Sequence, residues 1–357
     1  MKGIVLSGGT GSRLRPITHT GPKQLVPVGN KPILQYAIED LSDAGITDIG
    51  VVLGNTGSEA IQEFLGDGSE FDVEITYIVQ GNPLGLAHAV GCAASFVGDD
   101  DFVVYLGDNL LKLGINDLLQ SFQQGSFAAG ISLQRVENPG AFGIATLDDN
   151  GNVQRLIEKP ETPPSDLALV GIYVFSAAIF EVIDTLEPSW RGELEITDAI
   201  QGLLDTGHAV DAHVVEGWWK DTGRPEDIIE ANRLVLEECA DDRAGTIDEG
   251  AEVRGCVALH DSSRIDAGAV VRGPVSIGAD ATISAGSCVG PYTSIGPDST
   301  IEGAHIQNCV LMRECEITAE VTIVDSLLGR GTVVESADGL LPEGHRLATG
   351  ENSTLTL

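Results

Sequence analysis

Apolar and polar positions along this 357-residue chain follow two rhythms that change near residue 240. Over residues 1–110, short β-rich runs at 2–6, 48–53, 74–79 and 101–106 alternate with helix-like stretches at 31–45, 58–66 and 84–98. Gly45 supplies a stop for the first helix, and Pro32 stands near its start. Such alternation predicts an α/β domain with a Rossmann-like, doubly wound and mostly parallel sheet. Ligands of that architecture gather at the carboxyl ends of the strands. Strand-like runs dominate from 128 to 176, and helical spacing returns at 177–186, 194–206 and 225–239. The last helix reads as the exit from a first domain at 1–240.

The second rhythm is a strict six. Ile247, Val253, Leu259, Ile265, Val271, Ile277, Ile283, Val289, Ile295 and Ile301 recur without a break, with small or turn residues between them. The frame then slips by four and resumes at Leu311, Ile317 and Ile323. This is a hexapeptide repeat, in which each hexad forms one flat face of a left-handed parallel β-helix. With three faces to a coil, residues 245–335 predict four to five coils, followed by a tail at 336–357.

Charge removes several classes of partner. Fifty-four acids against 20 bases give a net charge of −34. Nucleic-acid binding needs a basic stripe, and an anionic membrane would repel such a surface, so neither is an expected partner. A field this strong suits a salt-rich cytoplasm, where repulsion is screened over a few ångströms. No apolar run reaches the length of a membrane span, and no leader is expected. The six cysteines show no Cys-x-x-Cys spacing, which points to reduced thiols rather than zinc. Only Lys2, Lys23, Lys31, Lys112, Lys159 and Lys220 remain as lysines, so those standing in motifs draw the eye.

The first strand runs into SGGTGSRLRP at 7–16. Leu14 occupies the place of the third glycine of a dinucleotide fingerprint, and the Gly-Lys-Ser/Thr of a P-loop is missing. A plain structural turn has no use for Arg13 and Arg15 on a glycine bend. Glycines let backbone N–H groups approach an anion, Arg13 can fork onto phosphate oxygens, and Lys23 adds a mobile charge. Together they read as a triphosphate cradle. Asp108, at the end of an apolar strand, and Asp221, in an aromatic and glycine-rich turn, are a carboxylate pair suited to Mg²⁺.

These segments resemble the signature of the sugar-1-phosphate nucleotidylyltransferases: LSGGTGSRLRP and PKQLVPVGNKP, with QGNPLGLAHA, LGDN, EKP, VGIY, RGELEITD and WWKDTG further on. The likeness is strongest to the glucose-1-phosphate thymidylyltransferases, in the long form that carries a hexapeptide domain. It implies transfer of a nucleotidyl group from dTTP or UTP to glucose 1-phosphate, with release of pyrophosphate. The resemblance places the nucleotide at Leu6, Gly8, Gly9, Gly11, Ser12, Arg13, Lys23, Gln24, Gln80, Gly85 and Leu86. It places the sugar phosphate at Asn109, Gly143, Glu158, Lys159, Val170 and Arg191, and the Mg²⁺ at Asp108 and Asp221. Arg13, Lys23, Lys159 and Arg191 would carry the catalytic charge. Phe142 stands where relatives commonly have tyrosine, which puts a hydroxyl contact there in doubt.

The sugar phosphate is a dianion near neutral pH and can attack in line without a general base. Rival readings stay open: a uridylyl or mannose guanylyl enzyme, a bifunctional enzyme with an acetyl-transferring β-helix using His260 or His305, or a nucleotide-sugar sensor. A homo-oligomer is expected, and the repeats show no phosphate-binding cluster of their own.

Overall fold

The computed structural model describes residues 1–9 and 11–336, so all of the expected tail except Ser336 lies outside the described residues. The chain divides into two compact units, one of residues 1–10 and 34–221 and one of residues 11–33 and 222–357.

The first unit is built on a nine-stranded sheet: β1 (Lys2–Ser7), β2 (Asp48–Leu53), β3 (Glu74–Val79), β4 (Phe102–Leu106), β5 (Ala129–Arg135), β6 (Gly143–Leu147), β7 (Val153–Glu158), β8 (Leu167–Phe175) and β9 (Val210–Val214). Its main path runs β7-β6-β8-β4-β1-β2-β3, with β5 on β8 and β9 on β5. In β1 and β2 every residue after the first is buried, as parallel strands covered on both faces require. Successive side chains take opposite faces. Ile4 joins a core with Val90 of α3 (Leu86–Cys92) and Ile200 of α7 (Ile196–Asp205). A Cβ on Gly3 would lie 3.2 Å from Leu41 of α1 (Ile33–Asp43).

The sheet is mixed rather than mostly parallel. β1 to β4 pair in parallel, but β8 runs antiparallel to β4, β5 and β6. The reason lies in the connections: residues 128–176 contain no helix long enough for a parallel crossover, so their strands must return antiparallel. A helix at Asn116–Gln124, buried through Leu118, Leu119 and Phe122, has no counterpart in the sequence reading.

The second unit contains the three parallel sheets of the left-handed β-helix, with six, six and five strands between Asp242 and Glu335. Ile265, Ile283, Ile301 and Ile317 stack in register along one inner face and are fully buried. The slip of four resolves into two short sides: Ile306 points inward five residues after Ile301 and five before Leu311. Residues 11–33 and the helix α8 (Pro225–Glu237) belong to this unit, although the pattern assigned them to the first domain. All six cysteines are free. The Cys239 and Cys256 sulfurs lie 2.7 Å apart, and burial pushes the Cys239 thiol up to about 12.

Candidate active site

Asp108 follows β4 by two residues. Beyond it, Asn109–Leu111 pairs antiparallel with Trp219–Asp221, and Asp221 is the Cα partner of Asn109. The ribbon therefore returns Asp221 from the far end of the unit to a position beside Asp108. Asn109 is buried; its Nδ2 donates to Asp108 Oδ1 at 3.0 Å and its Oδ1 accepts from the Trp219 indole N–H at 2.6 Å. Its side chain orients the carboxylate. Gly171 of β8 makes room, since a Cβ there would come 2.8 Å from Asn109 Oδ1. Among the described residues no group of three or more His, Cys, Asp or Glu is arranged to hold a metal. Two carboxylates with the remaining positions left to phosphate and water fit Mg²⁺ rather than a protein-closed zinc site.

Several residues expected to meet the sugar phosphate come together at the start of β6 and the end of β7. Gly143 and Glu158 are Cα partners, and a Cβ on Gly143 would come 3.1 Å from Glu158 Oε2. The Thr197 hydroxyl donates to that oxygen at 2.7 Å, while Lys159 Nζ lies 3.1 Å from Oε1. Lys159 adopts φ 40°, a left-handed conformation that costs a side-chain-bearing residue energy, and donates its N–H to Phe142 O. The Phe142 ring packs edge-on against Trp219 with centroids 5.4 Å apart, so the residue touches both the Glu158–Lys159 segment and the aspartate ribbon. Val170 is fully buried.

Arg191 is shared among Glu158, Glu193 and Glu195 at 3.2–3.5 Å. Glu195 is buried, and loss of water raises its carboxyl above the usual range, aided by the Glu158 charge and opposed by the Ser189 hydroxyl and Arg191. Asp198 is raised in the same direction by burial and by Glu158. Burial and Glu158 also push the Tyr173 phenol up, so it stays protonated.

Around the glycine loop, Leu6 and Ser7 are buried while Gly9 is exposed. A Cβ on Gly8 would come 2.7 Å from Gln80 Oε1, so that oxygen lies over the loop. Gln80 Nε2 donates to Gly85 O at 3.2 Å and faces His88 Nδ1 at 3.3 Å. Gly85 has φ 118°, and its missing Cβ clears the Leu194 backbone, whose O accepts from Ala87 N at 3.0 Å. Leu86 beside it is partly exposed. This contact links the Gln80–Leu86 loop to the segment that carries Glu193 and Glu195.

Gly11, Ser12, Arg13, Lys23 and Gln24 fall in the second unit. Gly11 has φ 61°, and a Cβ on it would come 3.2 Å from Lys23 Cβ. Arg13 Nη2 lies 3.0 Å from where a Cβ on Gly223 would stand. Gln24 is buried with its Oε1 lacking a hydrogen-bond partner, an acceptor left for something that the protein does not itself supply. Thr197 and Trp219 escaped the sequence reading because nothing local marks a side chain whose partner is remote.

Comparison with known proteins gives a consistent result. Residues 2–238 match the family model described as nucleotidyl transferase, and residues 271–339 that described as the GMPPB C-terminal domain. The chain is 66% identical to the low-salt glycan biosynthesis nucleotidyltransferase Agl11 of Haloferax volcanii, over the whole of both. It is 48% identical to a glucose-1-phosphate thymidylyltransferase of Streptomyces antibioticus, over 100% of this chain and 99% of that one. A solved structure from Bacillus anthracis, described as a glucose-1-phosphate thymidylyltransferase in complex with a sucrose, is 40% identical. It covers 65% of this chain and 94% of its own, with a TM-score of 0.61.

Proposed function

The chain belongs to the nucleotidyl transferase family and is a sugar-1-phosphate nucleotidyltransferase, and from that premise we propose that it joins dTTP to glucose 1-phosphate, giving dTDP-glucose and pyrophosphate. The observation that carries the choice of sugar is the setting of Glu158. Its two oxygens are fixed by Thr197 and Lys159, so the carboxylate is held ready to accept from adjacent sugar hydroxyls beside a lysine suited to phosphate. The base is supported by Gln80: with Nε2 committed to Gly85 O, its oxygen is oriented to accept the N3–H that thymine and uracil have and cytosine lacks. Full-length likeness to the Streptomyces enzyme, repeats included, favours thymine over uracil.

In this reading Lys159 and Arg191 hold the sugar phosphate. Arg13, Lys23 and the loop N–H groups from Gly8 to Ser12 hold the triphosphate. Asp108 and Asp221 would hold Mg²⁺, which when bound neutralises phosphate charge. The phosphate oxygen of the sugar forms a bond to the α-phosphorus as the bond to the β-phosphate oxygen breaks, and pyrophosphate leaves with the electron pair. No proton moves, so the chain's own work is to align two anions and offset their repulsion. Initial rates with five nucleoside triphosphates against glucose, mannose and N-acetylglucosamine 1-phosphates test it. Thymine and uracil differ by one methyl, so dTTP should lead UTP by about tenfold or more in kcat/KM. A lead for UTP, or for GTP with mannose 1-phosphate, would replace the assignment.

A further inference from the structure

The turn that carries Lys23 is tied to the β-helix. Residues 23–25 form one tight turn, with Val26 N donating to Lys23 O at 3.1 Å. A hairpin follows at once: Val28 pairs with Lys31, leaving Gly29 and Asn30 as a two-residue tip, both with positive φ (59° and 67°). Such tips match the twist of the paired strands, and asparagine and glycine tolerate the backbone they need. Ile33 N donates to Val26 O at 3.1 Å and closes the hairpin base onto the Lys23 turn.

The tip is anchored by five hydrogen bonds that involve two asparagines. Asn30 Nδ2 donates to Ser276 Oγ at 3.0 Å and to Ile295 O at 2.9 Å. Asn232 of α8 is wholly buried; its Oδ1 accepts from Gly29 N at 2.8 Å and from Ser294 Oγ at 2.7 Å, and its Nδ2 donates to Tyr292 O at 3.1 Å. Ser276 and Ser294 are Cα partners on adjacent coils. Each precedes an inward isoleucine, so by strand alternation it points away from the coil interior. Both are nevertheless buried. An outward-facing pair of β-helix serines that is out of water and hydrogen-bonded to Asn30 and Asn232 is a mooring, because buried hydroxyls left over from an exposed face would be costly.

We propose that Asn30, with Asn232 beside it, is a positioning residue for nucleotidyl transfer: it moors the Lys23 turn to the β-helix, which makes the repeat domain part of the catalytic apparatus. The inference rests on the reading that Lys23 meets the triphosphate. Lys23 is confined on one side by Gly11 and on the other by a hairpin whose tip is fixed, and a loss of alignment by a fraction of an ångström to an ångström at such a group slows chemistry substantially.

The test uses the full chain. Asn30→Gly keeps the positive-φ tip and removes only the side-chain bonds. It should lower kcat by about tenfold with dTTP while KM for glucose 1-phosphate stays within about twofold. In a Lys23→Ala background, Asn30→Gly should cost nothing further, since residues acting through one another are not additive. An unchanged kcat for Asn30→Gly with an impaired Lys23→Ala, or losses that simply multiply, would overturn the mooring. Wild-type turnover by Lys23→Ala would instead overturn the assignment of Lys23, and the mooring with it.

Discussion

The indole N–H of Trp219 donates to Asn109 Oδ1 at 2.6 Å, and the other end of the same buried amide donates to Asp108. An aromatic residue at one end of a ribbon thereby sets the direction of a carboxylate at the other. Trp219→Phe should keep the contact with the Phe142 ring but strand a buried acceptor, at a cost of about 1–3 kcal/mol. Denaturant unfolding measures this, and the divalent-cation concentration for half-maximal rate should rise in parallel. An unchanged midpoint in both measurements would contradict the linkage.

The two aspartates themselves should matter far more. Asp108→Asn or Asp221→Asn should lower pyrophosphate release by about a hundredfold or more. Undiminished turnover in excess EDTA would refute a metal held by this pair.

The two motif lysines should separate kinetically. Lys23→Ala should lower kcat by about a hundredfold, because charge moves towards the departing pyrophosphate as the bond breaks. Lys159→Ala should raise KM for glucose 1-phosphate by about tenfold or more and leave KM for dTTP within a few fold. The reverse pattern for Lys159 would mean that the two pockets are exchanged.

Glu195 predicts a pH dependence. Its folded carboxyl titrates above the unfolded one, so between those two values the folded protein binds more protons, and stability falls as pH rises through that window. Arg191 offsets the effect, being the cation 3.2 Å away. Arg191→Ala should therefore destabilise by about 1–3 kcal/mol at neutral pH, less than for a fully buried pair because Arg191 is partly exposed. The deficit should shrink as pH falls from neutral and Glu195 takes up its proton. Melting curves of both proteins across that range decide; a deficit that grows on acidification would show that Glu195 is not the source.

The surface charge of −34 gives a prediction of a different scale. Screening should raise the melting temperature by roughly 5 °C or more between low salt and about 2 M KCl. A flat response would show that the acidic surface is not self-repelling to any useful degree.

Local pattern carried the strands at Asp48–Leu53 and Glu74–Val79 to the residue: the first is a buried, nearly continuous apolar run, and the second is a half-exposed edge strand marked by its β-branched and aromatic residues. It missed the helix at Asn116–Gln124, where glutamines and serine dilute the apolar spacing. It located the hexads but read a slip at 301–311, because Ile306 breaks the period of six that the search relied on. Motif positions such as Gly143, Glu158 and Gly85 were legible in the sequence through the family resemblance. Their partners Thr197 and Leu194 were not, since pairing across 39 positions, as between Glu158 and Thr197, leaves no mark in the neighbouring sequence. The tie of the Gly29–Asn30 tip to the β-helix was equally hidden: it runs through the hydroxyls of Ser276 and Ser294, which in a repeat look like any other small spacer.

That mooring also imposes an order in time. Asn30 bonds to residues 246 and 265 positions further along the chain. During synthesis its turn leaves the ribosome long before the coils that receive it, a wait of roughly 10–50 s at ordinary elongation rates. Contacts of such long range form late, because the intervening loop must be closed first. The nascent chain thus holds its glycine loop and its hairpin without their anchor until Thr293–Ile295, the fourth strand of the six-stranded sheet that begins at Asp242, has been made, and any message cut short before that point yields a product whose Lys23 turn has nothing to rest on.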